Sequence, residues 1–164
     1  TMTSCEVSSN TASNNIGGGL VIWSSSVVTL TSCEVLSNTA AYGGGIYIDR
    51  STITMTLCEV SSNTAEHAGG GLYGDTITTF TMTSCVVSSN AANTGGGFYI
   101  TGIIVCRYIM VEGFTLRIRL PRMTSCEVSS NTATNGGGGF LIDVVHWGGG
   151  FNIGESSIVH RLSR

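Results

Sequence analysis

Apolar and polar residues alternate along short stretches of this chain. In "STITMTLCEV", residues 51–60, Ile53 and Met55 fall on one side and Thr52, Thr54 and Thr56 on the other. A period of two is the mark of a half-buried strand. The parity then changes, and Cys58 and Val60 share the inward side. After a glycine cluster the alternation resumes. "GGGIYID" places Ile46 and Ile48 inward and Tyr47 outward, and "GGGLYGD", "GGGFYIT" and "GGGGFLID" repeat the scheme. Long apolar stripes at helical spacing are absent. The pattern predicts short strands joined by bends.

The strands recur. "SCEVSSNTA" at Ser4 returns as "SCEVLSNTA" at Ser32, "LCEVSSNTA" at Leu57, "SCVVSSNAA" at Ser84 and "SCEVSSNTA" at Ser125. The repeat cysteines are 28, 25, 27 and 41 residues apart, and each unit carries its own glycine cluster. Such a period signals a solenoid, whose units bury their apolar face only by stacking. Each unit reads as three strands, and a unit of about 27 residues suits a right-handed, three-sheet form. The expectation is an all-β, right-handed parallel β-helix of about five to six coils, rising about 4.8 Å per coil.

Stacking puts like residues in file. Asn10, Asn38, Asn63, Asn90 and Asn131 are expected to form a ladder at a bend, bonding one another and the bend backbone. Cys5, Cys33, Cys58, Cys85 and Cys126 are expected to form a second internal column. An inward cysteine packs as a small apolar residue, but neighbours one coil apart also meet the Cα spacing of a disulfide. With Cys106 the chain has six cysteines, an even count that fits disulfides in a secreted protein. No C-x-x-C spacing points to zinc or to a redox motif.

One domain is expected over 1–164, with regular coils over 1–102 and 122–142. "CRYIMVEGFTLRIRLPR" interrupts the repeat and reads as an inserted hairpin near 103–122. It carries Arg107, Arg117, Arg119 and Arg122 against one acid, Glu112, whereas residues 1–105 hold six acids and one arginine. Either it is a solvated loop, or it is a basic arm that docks on another copy. The final stretch, 143–164, departs from the repeat. Phe151 and Ile153 keep the inward pattern there, while the last residues are expected to fray.

The phrases "SSNTA" and "GGG-aliphatic-Tyr" resemble the repeats of polymorphic outer-membrane proteins and related adhesin-type β-helix proteins, over about residues 1–142. The chain departs from them in using GGG in place of GGA. It also has Val7, Val35, Val60, Val87 and Val128 where those repeats carry an aromatic. The resemblance implies surface exposure and adhesive or structural work, not catalysis.

Composition narrows the function. The net charge is -3 and there is no lysine, which excludes the basic surface a nucleic-acid binder needs. No run of about 18 apolar residues is present, so no membrane-spanning helix is expected. No signal peptide is visible, and the start at Thr1 without Met suggests a processed protein or a segment of a longer one.

Several outward columns are candidates for contact. Glu6, Glu34, Glu59 and Glu127 line one face, interrupted by Val86. Like charges about 4.8 Å apart cost roughly 1 kcal/mol per pair in water. They can splay into solvent, pair with arginine or bind calcium. Calcium is the one cofactor considered, and none is otherwise expected. Asp49, Asp75 and Asp143 form a sparser acidic column. Tyr47, Tyr73 and Tyr99 form a stripe that could meet sugar rings or another chain, or simply be exposed strand aromatics. Thr29/Thr31, Thr54/Thr56 and Thr81/Thr83, with Thr1, Thr3 and Thr124, make a threonine face. Its readings are a solvated strand face, O-linked or bound glycans, and the ice contact of antifreeze solenoids. No N-x-S/T sequon is present. His67, His146 and His160 are scattered and match no metal spacing.

The expected function is a non-enzymatic extracellular or cell-surface structural protein. Its copies would stack end to end into a fibril, with the arginine insert clasping a neighbour. A surface adhesin module binding glycans is the first alternative. A polysaccharide lyase-like enzyme is the second; lyases of this fold use aspartate clusters with calcium and a base.

Overall fold

The computed structural model describes residues 1–76, 79–101, 122–138 and 140–143. Among the described residues all twenty elements are strands, arranged as five coils of four. The first coil holds β1 (Met2–Thr3), β2 (Glu6–Ser8), β3 (Thr11–Ile16) and β4 (Leu20–Ile22). The second holds β5 (Val27–Thr31), β6 (Glu34–Leu36), β7 (Thr39–Tyr42) and β8 (Ile46–Asp49). The third holds β9 (Thr52–Thr56), β10 (Glu59–Ser61), β11 (Thr64–Ala68) and β12 (Leu72–Asp75). The fourth holds β13 (Thr79–Thr83), β14 (Val86–Ser88), β15 (Ala91–Ala92) and β16 (Phe98–Thr101). The fifth holds β17 (Arg122–Thr124), β18 (Glu127–Ser129), β19 (Thr132–Ala133) and β20 (Phe140–Asp143).

Each strand pairs in parallel with its counterparts in the coils on either side, giving four five-stranded sheets. The β-helix is as expected, but a coil has four sides and not three. The extra corner lies where the alternation changes parity. Ser4, Ser32, Leu57, Ser84 and Ser125, each just before a repeat cysteine, take φ between 51° and 54°. A left-handed residue turns the chain sharply, so one strand becomes two. The serine just before each ladder asparagine does the same at the next corner, with φ from 54° to 58° at Ser9, Ser37, Ser62, Ser89 and Ser130. The ladders run on through these corners: Leu57 N–H donates to Thr83 O at 3.0 Å and Ser62 N–H to Ser88 O at 3.1 Å. The corner backbone therefore keeps its partners.

The interior is filled from all four sides. Leu30, Met55 and Met82 make one file and Ile53 and Phe80 another, with Ile46, Leu72 and Phe98 contributed by the fourth sheet. All are at most 5% exposed. Phe80 and Phe98 meet edge to face across the interior at 5.9 Å. Each such side chain contributes about 1.5–3 kcal/mol by leaving water. Arg122 starts a regular strand of the fifth coil, at the register of Thr81, and so belongs to the coil and not to an insert. The expected hairpin, with Arg107, Arg117, Arg119 and Cys106, lies outside the described residues, as does the stretch from 144 to 164.

Candidate functional surface

The asparagine ladder is present in single file. Asn38, Asn63 and Asn90 are fully buried, at 0% exposure. Asn63 shows the repeating scheme. Its Nδ2 donates to Val35 O of the previous coil at 2.9 Å and to Asn90 Oδ1 of the next at 3.0 Å. Its Oδ1 accepts from Asn38 N–H at 2.9 Å and from Asn38 Nδ2 at 3.0 Å. Two donors and two acceptors are all an amide has. Asn10 donates to Asn38 in the same way, and Asn131 accepts from Asn90 and donates to Val87 O. No buried side-chain N or O among the described residues lacks a partner.

The glycine clusters serve this ladder. In Gly43–Gly45, only the first has a left-handed backbone, φ 63°. The second and third are glycine because coils come close. A Cβ on Gly44 would lie 2.4 Å from Thr64 O and 2.5 Å from Gly70 O. One on Gly45 would lie 2.6 Å from Gly71 O and 3.0 Å from Asn63 Nδ2. A left-handed bend thus accounts for one glycine in three of this cluster.

Cys5, Cys33, Cys58 and Cys85 form no disulfide among the described residues. Cys33, Cys58 and Cys85 are buried, and each Sγ donates to the carbonyl two residues back, Thr31, Thr56 or Thr83, at 3.3 Å. The column is core packing, the reduced one of the two readings. The Cys85 thiol is pushed well above its ordinary range, first by its hydrogen bond with the Cys58 side chain and then by burial.

Four outward faces differ in chemistry. On the second sheet Glu6, Glu34 and Glu59 share one register, Val86 interrupts it, and Glu127 follows. All four glutamates are exposed. Ser61 Oγ donates to Glu59 Oε1 at 2.6 Å, and Ser129 Oγ to Glu127 Oε1 at 2.9 Å. Among the described residues, no three His, Cys, Asp or Glu side chains gather to hold a metal ion.

On the fourth sheet Tyr47, Tyr73 and Tyr99 are in register. Their rings stack at 5.2 Å, 4° apart for Tyr47 and Tyr73 and 12° apart for Tyr73 and Tyr99. Both faces of the Tyr73 ring are therefore covered by its own neighbours, and the stripe shows the outside ring edges. This weakens the expected sugar stacking, which needs open ring faces. The sequence reading missed Tyr42, which meets Tyr73 edge-on at 5.4 Å and His67 at 4.9 Å. Tyr42 immediately precedes the Gly43 corner and His67 stands two residues before the Gly69 corner of the adjacent coil, which was the available signal. Two residues past the tyrosines, Asp49 and Asp75 are in register. Asp49 Oδ2 holds Arg50 Nη2 at 2.9 Å.

Burial, and next the charge of Asp75, raise the Tyr73 phenol above its ordinary 10.0; burial does the same to Tyr47. A group whose pKa rises on folding adds stability below its unfolded value and loses it as pH climbs toward the folded one. Urea midpoints should therefore fall as pH rises above about 10, the ordinary value of the phenol. Tyr73→Phe should flatten that fall. An identical fall in the variant would show that the phenol does not titrate in this setting.

On the first sheet the threonines line up more fully than the sequence suggested. Thr3, Thr31, Thr56, Thr83 and Thr124 share one register through all five coils. Thr29, Thr54 and Thr81 form the next file, and Thr52 and Thr79 a third behind Val27.

No curated protein and no solved structure matches the chain. A family model described as "right handed beta helix region" matches residues 2–105, more than half of the chain. With four parallel sheets wound around one interior file of asparagines, the chain belongs to the right-handed β-helix family.

Proposed function

We propose that the chain is a non-enzymatic, extracellular structural repeat protein whose copies dock coil on coil into a fibril. The observation that carries this reading is the translational identity of the ladder. Every asparagine gives and takes along the axis in the same way. A coil therefore offers what lies beyond it the same groups it offers its neighbour. A second copy in register would extend four sheets and the ladder at once, by strand addition on each side. The resemblance to polymorphic outer-membrane proteins supports a place at the cell surface, and the low charge favours lateral tolerance over repulsion.

Electron microscopy and sedimentation of the purified chain at rising concentration test this. Unbranched filaments with a meridional repeat of about 4.8 Å are the expected result. Monodisperse short rods at every concentration would contradict it. The glycan-binding adhesin is the second reading, favoured by the file of tyrosine edges beside Asp49 and Asp75. A glycan array with Tyr73→Ala as the comparison tests that reading.

A further inference from the structure

The four outward faces carry different chemistry, and one of them is uncharged over its first four strands, with Arg122 at the register of Thr81 on the fifth. Glu6, Glu34, Glu59 and Glu127 project from the second sheet, Glu66 from the third, and Asp49 and Asp75 from the fourth. The outward positions of the first four strands of the first sheet hold threonine in every case but one, Val27. Solvation does not require this. Glutamate, glutamine, serine or arginine would solvate a strand face as well.

The inward positions of the same strands vary, with Val28, Ile53 and Phe80 in one file and Leu30, Met55 and Met82 in another. The outward residue has therefore stayed the same from coil to coil where the packed residue has drifted. Simple duplication of the unit would leave both alike.

The geometry of this face is even, as it is on the second and fourth sheets. Its strands pair without a register shift from Val27 to Thr83, whereas the third sheet shifts between Ala12 and Ile16 and between Ala65 and Ala68. The result is a regular two-dimensional grid, spaced about 4.8 Å along the axis and about 6.7 Å along the strands. A β-branched side chain on a strand has little freedom at χ1, so methyl and hydroxyl positions repeat with the backbone. The hydroxyls of Thr29, Thr31, Thr54, Thr56, Thr81 and Thr83 make no hydrogen bond among the described residues. Those of Ser51, Ser61, Thr94 and Thr134 on other parts of the coil do.

A lattice of threonines, charge-free over four coils, whose Thr29, Thr31, Thr54, Thr56, Thr81 and Thr83 hydroxyls stand between methyl groups, matches a ligand that is itself a lattice of hydrogen-bonding oxygens. We propose that the threonine face binds ice. Water held over the methyls and bonded to the hydroxyls takes up the period of the grid, and that layer merges with the surface of a crystal. Each threonine contributes little alone, so the contact depends on several coils in register. Charged side chains would work against it, because they order liquid water around themselves. This proposal is independent of fibril formation; a single copy suffices.

The test uses the full chain in buffer with ice as the only ligand. Its uptake into a slowly grown ice hemisphere and the shape of crystals held just below melting are followed. The expected result is enrichment in the ice and faceted crystals. Thr54→Lys, in the middle of the grid, should cut uptake about tenfold or more, as loss of a central contact residue does. Thr64→Lys, the same change on the exposed side of the third sheet, should leave uptake unchanged. If Thr54→Lys fails to fold by circular dichroism, Thr29→Lys takes its place.

Exclusion of the wild-type chain from ice, like an ordinary solute, overturns the proposal. So does an equal loss in Thr64→Lys. A change in sedimentation size with Thr54→Lys would also overturn it, since the face would then be holding a second copy.

Discussion

Asn63→Leu should lower the unfolding free energy by at least about 3 kcal/mol, because it leaves several buried polar groups without partners, each costing about 1–3 kcal/mol. Leucine is close in size, so the loss is not one of volume. Asn63 accepts from both the backbone and the side chain of Asn38, and donates to Val35 O. All of these groups lie in the interior, and Asn38 is 0% exposed. Asn63→Asp should fare no better. A carboxylate could still accept from Asn38, but it would set oxygen against Val35 O and Asn90 Oδ1 and bury a charge. The neighbouring Thr64→Ala, at an exposed position, should change stability by no more than about 0.5 kcal/mol. Urea unfolding followed by circular dichroism separates these cases. The midpoint should fall steeply for both Asn63 variants with little change in slope. A drop for Asn63→Leu no larger than that for Thr64→Ala would show that the ladder is ornamental.

The second large effect is expected at Gly70. A methyl group there would sit 2.4 Å from Ala91 O and 2.4 Å from Gly96 O. Both are backbone atoms of the next coil, held in ladders with their own neighbours. They cannot swing away as a side chain would, so two coils must part. Gly70→Ala should cost about 3 kcal/mol, at the high end for overpacking. It should also disturb the ladder beside it, because Gly71 lies against the Asn90 amide. Gly136, where an added Cβ meets nothing within 4 Å, is the comparison. Its alanine variant carries only the backbone strain of φ 147°. Equal midpoints for the two variants would contradict the close approach of coils three and four.

Much of this architecture was legible in the chain because a solenoid writes its structure once per turn. Alternation identified the inward residues, and the recurrence of Asn10, Asn38, Asn63, Asn90 and Asn131 announced the ladder. The count of sheets was not legible in the same way. Glycine and asparagine are the usual signals of a left-handed corner, whereas here serine and even Leu57 occupy it. A parity change inside "TMTLCEV" was the only trace of that corner. The role of the glycine clusters was half visible. Their spacing pointed to a bend, but the approach of one backbone to the next depends on neighbouring coils, which no single unit encodes. The stacking of the tyrosines on one another likewise follows from register. A lone Tyr73 in sequence looks free to receive a sugar, and only its neighbours in space close both faces of its ring.

The most direct measurement of the stacked-coil account is hydrogen exchange of the asparagine side-chain amides by nuclear magnetic resonance. The Nδ2 protons of Asn38, Asn63 and Asn90 should exchange only through global unfolding, with through-space contacts linking Asn63 to Asn38 and to Asn90. Exchange of these amides as fast as that of the exposed Asn15, without such contacts, would mean that the coils are not stacked in register.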